Sequence, residues 1–143
     1  MTFVIISAER DDLSPHINSL NTESLGEKLK FNFGLHRVSA CQGVYEGVPE
    51  ACYMVSLSRT YLSRTYPTYG TTILIELAED YGQECILYVD DLLRGSLVYT
   101  KDLRWDLLDG RWSHVPDDYT GDHTKLANGE RYAIMEAITE DTL

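Results

Sequence analysis

Glu50 stands at the head of an apolar run, Ala51 to Leu57, with Tyr45, Glu46 and Gly47 just before it. A carboxylate placed there can hold an ammonium, bond ribose hydroxyls, offset a nearby positive charge or act as a base, and Tyr45 lies close to it in sequence. The plainer alternative is a solvated glutamate at a strand end. Ser7, Ala8, Glu9 and Arg10 form a second cluster, where the apolar run Phe3–Ile6 turns abruptly charged. Their backbone amides and the Ser7 hydroxyl can receive a carboxylate or a base, and Arg10 can anchor a carboxylate; a surface turn with a Glu9–Arg10 pair is the alternative. Tyr45, Tyr53 and Tyr61 can stack on an aromatic ligand or face a cation with an electron-rich ring, although core or interface packing is the favoured account of any single tyrosine. Gln83 can bond a ligand or simply cap backbone. Glu76 is a weaker candidate, because a polar helix face explains it.

Other chemistries lack their motifs. His16, His36, His114 and His123 show no metal-ligand spacing, and Cys41, Cys52 and Cys85 lack the paired spacing of a structural zinc site. The three cysteines read as small, largely buried side chains in a reducing compartment. Phosphate-binding glycine loops, HExxH and GxSxG are absent from the sequence. No metal and no cofactor is expected.

The elements that must position these residues follow from periodicity and punctuation. Phe3 to Ala8 reads as a central strand, short and β-branched. Ser14 and Pro15 start a helix carrying Ile17, Leu20, Leu25 and Leu29, which ends near Phe33 with Gly34 as its terminal turn. Leu35–Gln42 and Ala51–Leu57 read as strands. In the second, Ala51, Tyr53, Val55 and Leu57 share one face, and Cys52, Met54 and Ser56 the other. Ser58 to Tyr69 reads as a mobile or interface loop. A second helix is predicted from Thr71 or Thr72 to Tyr81, ended by Gly82. Strands follow at Cys85–Val89, Leu97–Thr100 and Arg131–Met135; Trp105–Trp112 is ambiguous, and residues 117–130 form an irregular segment before the final strand.

Strand, helix, strand, strand, helix, strand is the order of a ferredoxin-like split βαβ unit. The expected fold is α/β, a two-layer sandwich with two helices on one face of the sheet. Its other face would be exposed and would seek a partner, so an oligomer is inferred.

The 143 residues suit one domain, residues 1–143. Twelve Lys and Arg against 23 Asp and Glu give a net charge of −11. That balance disfavours phosphate-mediated nucleic-acid binding and anionic membranes, and it suits a cationic or zwitterionic small molecule. No basic segment precedes the first apolar run, which is too short for a signal peptide or membrane span. A cytoplasmic protein is expected.

Several stretches, in order, carry a family resemblance: FVIISAERDD, GVYEGVPEACYMV, LAEDYGQECILYV followed by GSLVYTK, then LDGRWSHVP and NGERYAIM. Together they resemble the small bacteriophage enzymes that destroy S-adenosylmethionine, the S-adenosylmethionine lyases formerly called hydrolases. The resemblance implies a two-layer fold like that of the PII signalling proteins, a homotrimer with active sites between subunits, and conversion of S-adenosylmethionine to methylthioadenosine and homoserine lactone. In the phage setting this removes the methyl donor of host restriction and modification. Such chemistry needs no metal or protein nucleophile, because the substrate's own carboxylate can displace the sulfonium. Glu50 and Tyr45 are then the catalytic candidates. Ser7, Ala8, Glu9, Arg10, Tyr53, Tyr61, Glu76 and Gln83 are the substrate-binding ones. Two rival readings fit the sequence: an acidic, non-enzymatic interaction or inhibitor protein, and a PII-like nucleotide-binding regulator.

Overall fold

A strand that is apolar on both faces, as Phe3 to Ile6 are, must bury both, and β1 (Thr2–Ser7) does so with two different partners. Val4 and Ile6 face a cluster containing Leu25, Leu29, Leu74 and Ala78 from the helices. Phe3 and Ile5 face the opposite way, toward Cys52, Val89 and Trp112. The computed structural model describes residues 2–57 and 69–136. In it β1 lies between β3 (Val48–Leu57) and β4 (Cys85–Val89), antiparallel to both. β2 (Val38–Tyr45) joins β3 through Glu46 and Gly47, whose φ values of 53° and 80° make a tight hairpin turn.

The helices α1 (Pro15–Phe33) and α2 (Tyr69–Asp80) pack on the outer face of these four strands. Ser14 caps α1 by accepting from the Ile17 amide at 3.2 Å, and Gly34, at φ 91°, returns its amide to the Lys30 carbonyl. The buried stripe of α1 differs from the expected one. Ile17 and Leu20 are 41 % and 50 % exposed, while Asn18, Leu25, Leu29 and Phe33 are buried. Asn18 holds a core-facing position because its amide bonds both the N–H and the C=O of Arg10, each at 2.9 Å.

The expected two-layer ferredoxin-like sandwich, and with it the likeness to PII proteins, is not what forms. After β4 the chain continues into β5 (Arg94–Tyr99), β6 (Trp105–Val115), β7 (His123–Lys125) and β8 (Arg131–Met135). These close an eight-stranded antiparallel barrel in the order β1-β3-β2-β7-β8-β6-β5-β4. The sheet face expected to lie open is the barrel's inner wall. Its apolar residues, Phe3, Ile5 and Cys52, are covered by Trp112, Tyr132 and Ile134 from the returning strands. The closed barrel therefore leaves no open sheet face, among the described residues, to seek a partner. The ambiguous Trp105–Trp112 segment is a strand, and residues 117–130, expected to be irregular, contain β7. Glu50 lies inside β3 rather than before it. The loop expected over Ser58–Tyr69 falls, apart from Tyr69, outside the described residues.

Candidate functional site

Side-chain alternation decides what reaches the barrel interior. On β3, Glu50, Cys52 and Met54 share the inner face; on β1, Phe3, Ile5 and Ser7 do; on β2, Cys41, Gly43 and Tyr45 do. Registered pairing sets Gly43 opposite Glu50 on one side and Thr124 of β7 on the other. At this end of the barrel two cavities meet. The inner one, about 490 Å³, is walled by apolar residues such as Ile5, Leu97, Trp112 and Ile134. The outer one, about 900 Å³, is the mouth, and Tyr45, Glu50, Gln83, Cys85 and Asp122 line both.

The mouth is strongly acidic. Glu9, Asp11, Asp12, Glu46, Glu84 and Asp122 join Glu50 around it, and among the described residues lining it Arg10 is the one base. Arg10 is itself engaged, with its guanidinium 2.5 Å from Asp12. It lies across Gly82, where a β-carbon would come within 2.7 Å of the guanidinium and where φ is 71°. Glycine there serves both the turn after α2 and the approach of Arg10.

Hydrogen bonds lock the rim. The Ser7 hydroxyl donates to the Ala51 carbonyl at 2.9 Å and accepts from the Glu9 amide at 3.1 Å. The Glu9 carboxylate accepts from the Ala51 amide. The Gln83 side chain donates to the Glu9 carbonyl at 2.8 Å, tying the α2–β4 turn to the end of β1. Asp122 accepts from the Glu46 amide at 2.8 Å, pinning the β2–β3 turn. Burial raises the Glu50 carboxyl above its ordinary range; the Ser7 hydrogen bond opposes this, and the charges of Glu9 and Asp11 add to it.

Tyr45 is 40 % exposed at the rim, and its ring folds back over Gly43. A β-carbon at Gly43 would sit 2.5 Å from that ring, so the missing side chain is what admits it. Burial, then the nearby Cys52 and Glu50, push the Tyr45 phenol up, while a hydrogen bond with Thr124 works the other way.

Ser7, Glu9, Arg10, Tyr45, Glu50 and Gln83 thus converge at one opening. Ala8 does not join them: its side chain is fully buried against the helices. Tyr53 also faces the helices, donating its hydroxyl to the Thr22 carbonyl at 2.9 Å with its ring against Gly26. It lines a separate outer cleft of about 470 Å³. Glu76 sits on the exposed side of α2, in a cleft with Thr100 and Trp105. Tyr61 lies outside the described residues. Sequence reasoning missed Asp122, His123 and Thr124. His123 is buried, its Nε2 accepting from Arg131 at 2.6 Å and its Nδ1 donating to the Gly121 carbonyl at 2.8 Å. These three lie on a three-residue strand and the turn before it, which carry no periodic signal. Among the described residues no group of three or more His, Cys, Asp or Glu is placed to hold a metal ion.

The model of the S-adenosylmethionine lyase family matches residues 4–135, from β1 through the end of β8. The chain belongs to that family. It is an S-adenosylmethionine-cleaving lyase. No curated protein matches the chain at a significant level. The lyase's substrate carries a sulfonium and an ammonium, and an opening lined by carboxylates in front of low-dielectric walls concentrates such cations.

Proposed function

We propose that the lyase binds the methionine portion of S-adenosylmethionine in the acidic mouth and cleaves it by internal displacement. The substrate's carboxylate oxygen attacks its own γ-carbon. The bond from that carbon to sulfur breaks, and the electron pair stays on sulfur. Methylthioadenosine and homoserine lactone leave, with no water or proton consumed. Holding oxygen, carbon and sulfur in line replaces a random encounter; ideal alignment of this kind is worth roughly 7–11 kcal/mol.

This chemistry constrains the residue roles. Carboxylate and sulfonium neutralise each other as the transition state forms. A protein charge set directly on either one would stabilise the substrate more than the transition state and slow the reaction. Glu50 therefore acts best on a group whose charge or hydrogen bonding persists, the ammonium or the ribose hydroxyls. Tyr45 supplies a ring face on which the adenine, whose charge does not change in the reaction, can stack. Arg10, engaged by Asp12, leaves the attacking carboxylate unclamped. Ser7, Glu9 and Gln83 keep the rim in place.

The reading includes a homotrimer with sites between subunits. Val48, 60 % exposed at the rim beside Pro49, offers the edge a neighbouring subunit would cover. In a phage-infected cell the enzyme would act in the cytoplasm and starve restriction and modification of methyl donor.

The convergence of Glu50 and Tyr45 on an acid-lined opening carries this reading. The test is product analysis in ¹⁸O-labelled water. Methylthioadenosine with a homoserine lactone free of solvent oxygen is expected. Homoserine as the first product, labelled at the γ-carbon, would replace internal displacement by hydrolysis. Sedimentation or light scattering reads the trimer.

A further inference from the structure

Cys41 and Cys52 are directly opposed partners on β2 and β3, and their Sγ atoms lie 3.0 Å apart. Opposed residues of antiparallel strands have Cα atoms about 4.5–5.5 Å apart, inside the range of roughly 4.4–6.8 Å that a disulfide spans. Bond formation needs the sulfurs to close by only about 1 Å, to about 2.05 Å. The third cysteine, Cys85, belongs to β4 on the other side of β1 and is not a registered partner of either.

From this geometry we infer that Cys41 and Cys52 form a modification site, a dithiol that peroxide oxidises to a cross-strand disulfide in the hairpin bearing Tyr45 and Glu50. Cys41 is half-buried and Cys52 is 4 % exposed, so oxidant meets Cys41 first. Contact with Cys41 and burial push the Cys52 thiol up, which leaves its proton in place while Cys41 reacts. The Cys41 thiolate takes one oxygen from hydrogen peroxide, giving a sulfenic acid and, after protonation, water. The Cys52 sulfur then attacks Cys41 Sγ and expels hydroxide, which leaves as a second water with the Cys52 proton. Two thiols are oxidised, one peroxide is reduced, and the protein loses two hydrogens.

The bond would fall two residue pairs below the Gly43–Glu50 pair, across the strands whose connecting turn Asp122 pins. It would tie the two sides of the hairpin together beneath the mouth. A small-molecule effector at the mouth is not needed for it, so its test is independent of the lyase reaction.

The experiment treats the native full chain with hydrogen peroxide, quenches, unfolds and labels the remaining thiols with a maleimide for mass analysis. Label count should fall from three to one, with the protein lighter by two hydrogens before labelling and a peptide map joining Cys41 to Cys52. C85S should fall from two labels to none, and C41S should form no internal cross-link. Retention of all three labels, or a cross-link that includes Cys85, would overturn the inference. C85S removes a residue outside the pair, so it still decides the matter if C41S fails to fold.

Discussion

The two faces of β1 and β3 do opposite things with the same strands. Outward, Val4, Ile6, Val55 and Leu57 are packed against Leu25, Leu29 and Leu74 until almost nothing is accessible. Inward, the row through Ser7, Glu50 and Cys52 borders a cavity of about 490 Å³ that opens into a larger, acidic mouth. Fully burying a leucine or valine contributes roughly 1.5–3 kcal/mol, and an inner wall that keeps a cavity forgoes part of that. The helix-backed face therefore supplies rigidity that the chamber face lacks, and strand alternation lets one residue serve the scaffold while its neighbour serves the site.

The widest separation of the two faces comes from a core truncation. Leu29→Ala on α1 should destabilise the fold by about 2–5 kcal/mol, read by urea unfolding, while turnover per folded molecule stays close to that of the parent. Its counterpart on the chamber side is Glu50→Gln. It should cut kcat/KM about a hundredfold, or ~2.7 kcal/mol at 1.36 kcal/mol per tenfold, consistent with the loss that a misplacement of about 1 Å produces. The same variant should be more stable than the parent at neutral pH. The folded state raises the Glu50 carboxyl, so it favours the protonated form, and ionising the group as pH rises costs stability. Removing the charge relieves that cost. Its thermal advantage should shrink as pH falls through the raised value and vanish below the ordinary glutamate range. For the parent enzyme, the acid limb of kcat/KM should lie above that of an unperturbed glutamate.

A smaller effect is expected where the site rests on an absent side chain. Gly43→Ala puts a β-carbon against the Tyr45 ring, and the ring can swing away. About a tenfold fall in kcat/KM with little change in the unfolding midpoint would show that Gly43 acts by placing Tyr45. A matching fall in stability would make it a packing residue. Glu76→Gln, on the exposed side of α2, should change kcat/KM by less than about twofold; an effect larger than that of Glu50→Gln would move the centre of the chemistry to the other cleft.

Local signals in the sequence carried most of the way to β4, although Leu35–Arg37, read as the start of a strand, form a 3₁₀ turn and β2 runs from Val38 to Tyr45. Ser14, Pro15 and Gly34 bound α1 where capping chemistry places them, and the alternation in Ala51–Leu57 separates the same two sets of side chains that the barrel separates. That alternation also held information about the site. Glu50 and Tyr53 differ by an odd number of positions, as do Ser7 and Ala8, so neither pair can share a chamber. What could not be read locally was closure. β6 has exposed or half-exposed residues through most of its length and passes through Gly110 at φ 136°, so it lacks an apolar stripe. β7 is three residues long and earns its pairing only from β2 and β8. Asn18 likewise breaks the apolar stripe of α1, because its place in the core is justified by the distant backbone of Arg10.

The ring of strands is thus only as secure as its shortest member. β7 bridges β2 and β8 through a handful of residue pairs, and from it or the turn just before it come Thr124 beneath Tyr45 and Asp122 under Glu46. Fraying at that seam would release two strand edges and slacken the β2–β3 hairpin in the same event. Activity and resistance to self-association in this enzyme should consequently rise and fall together.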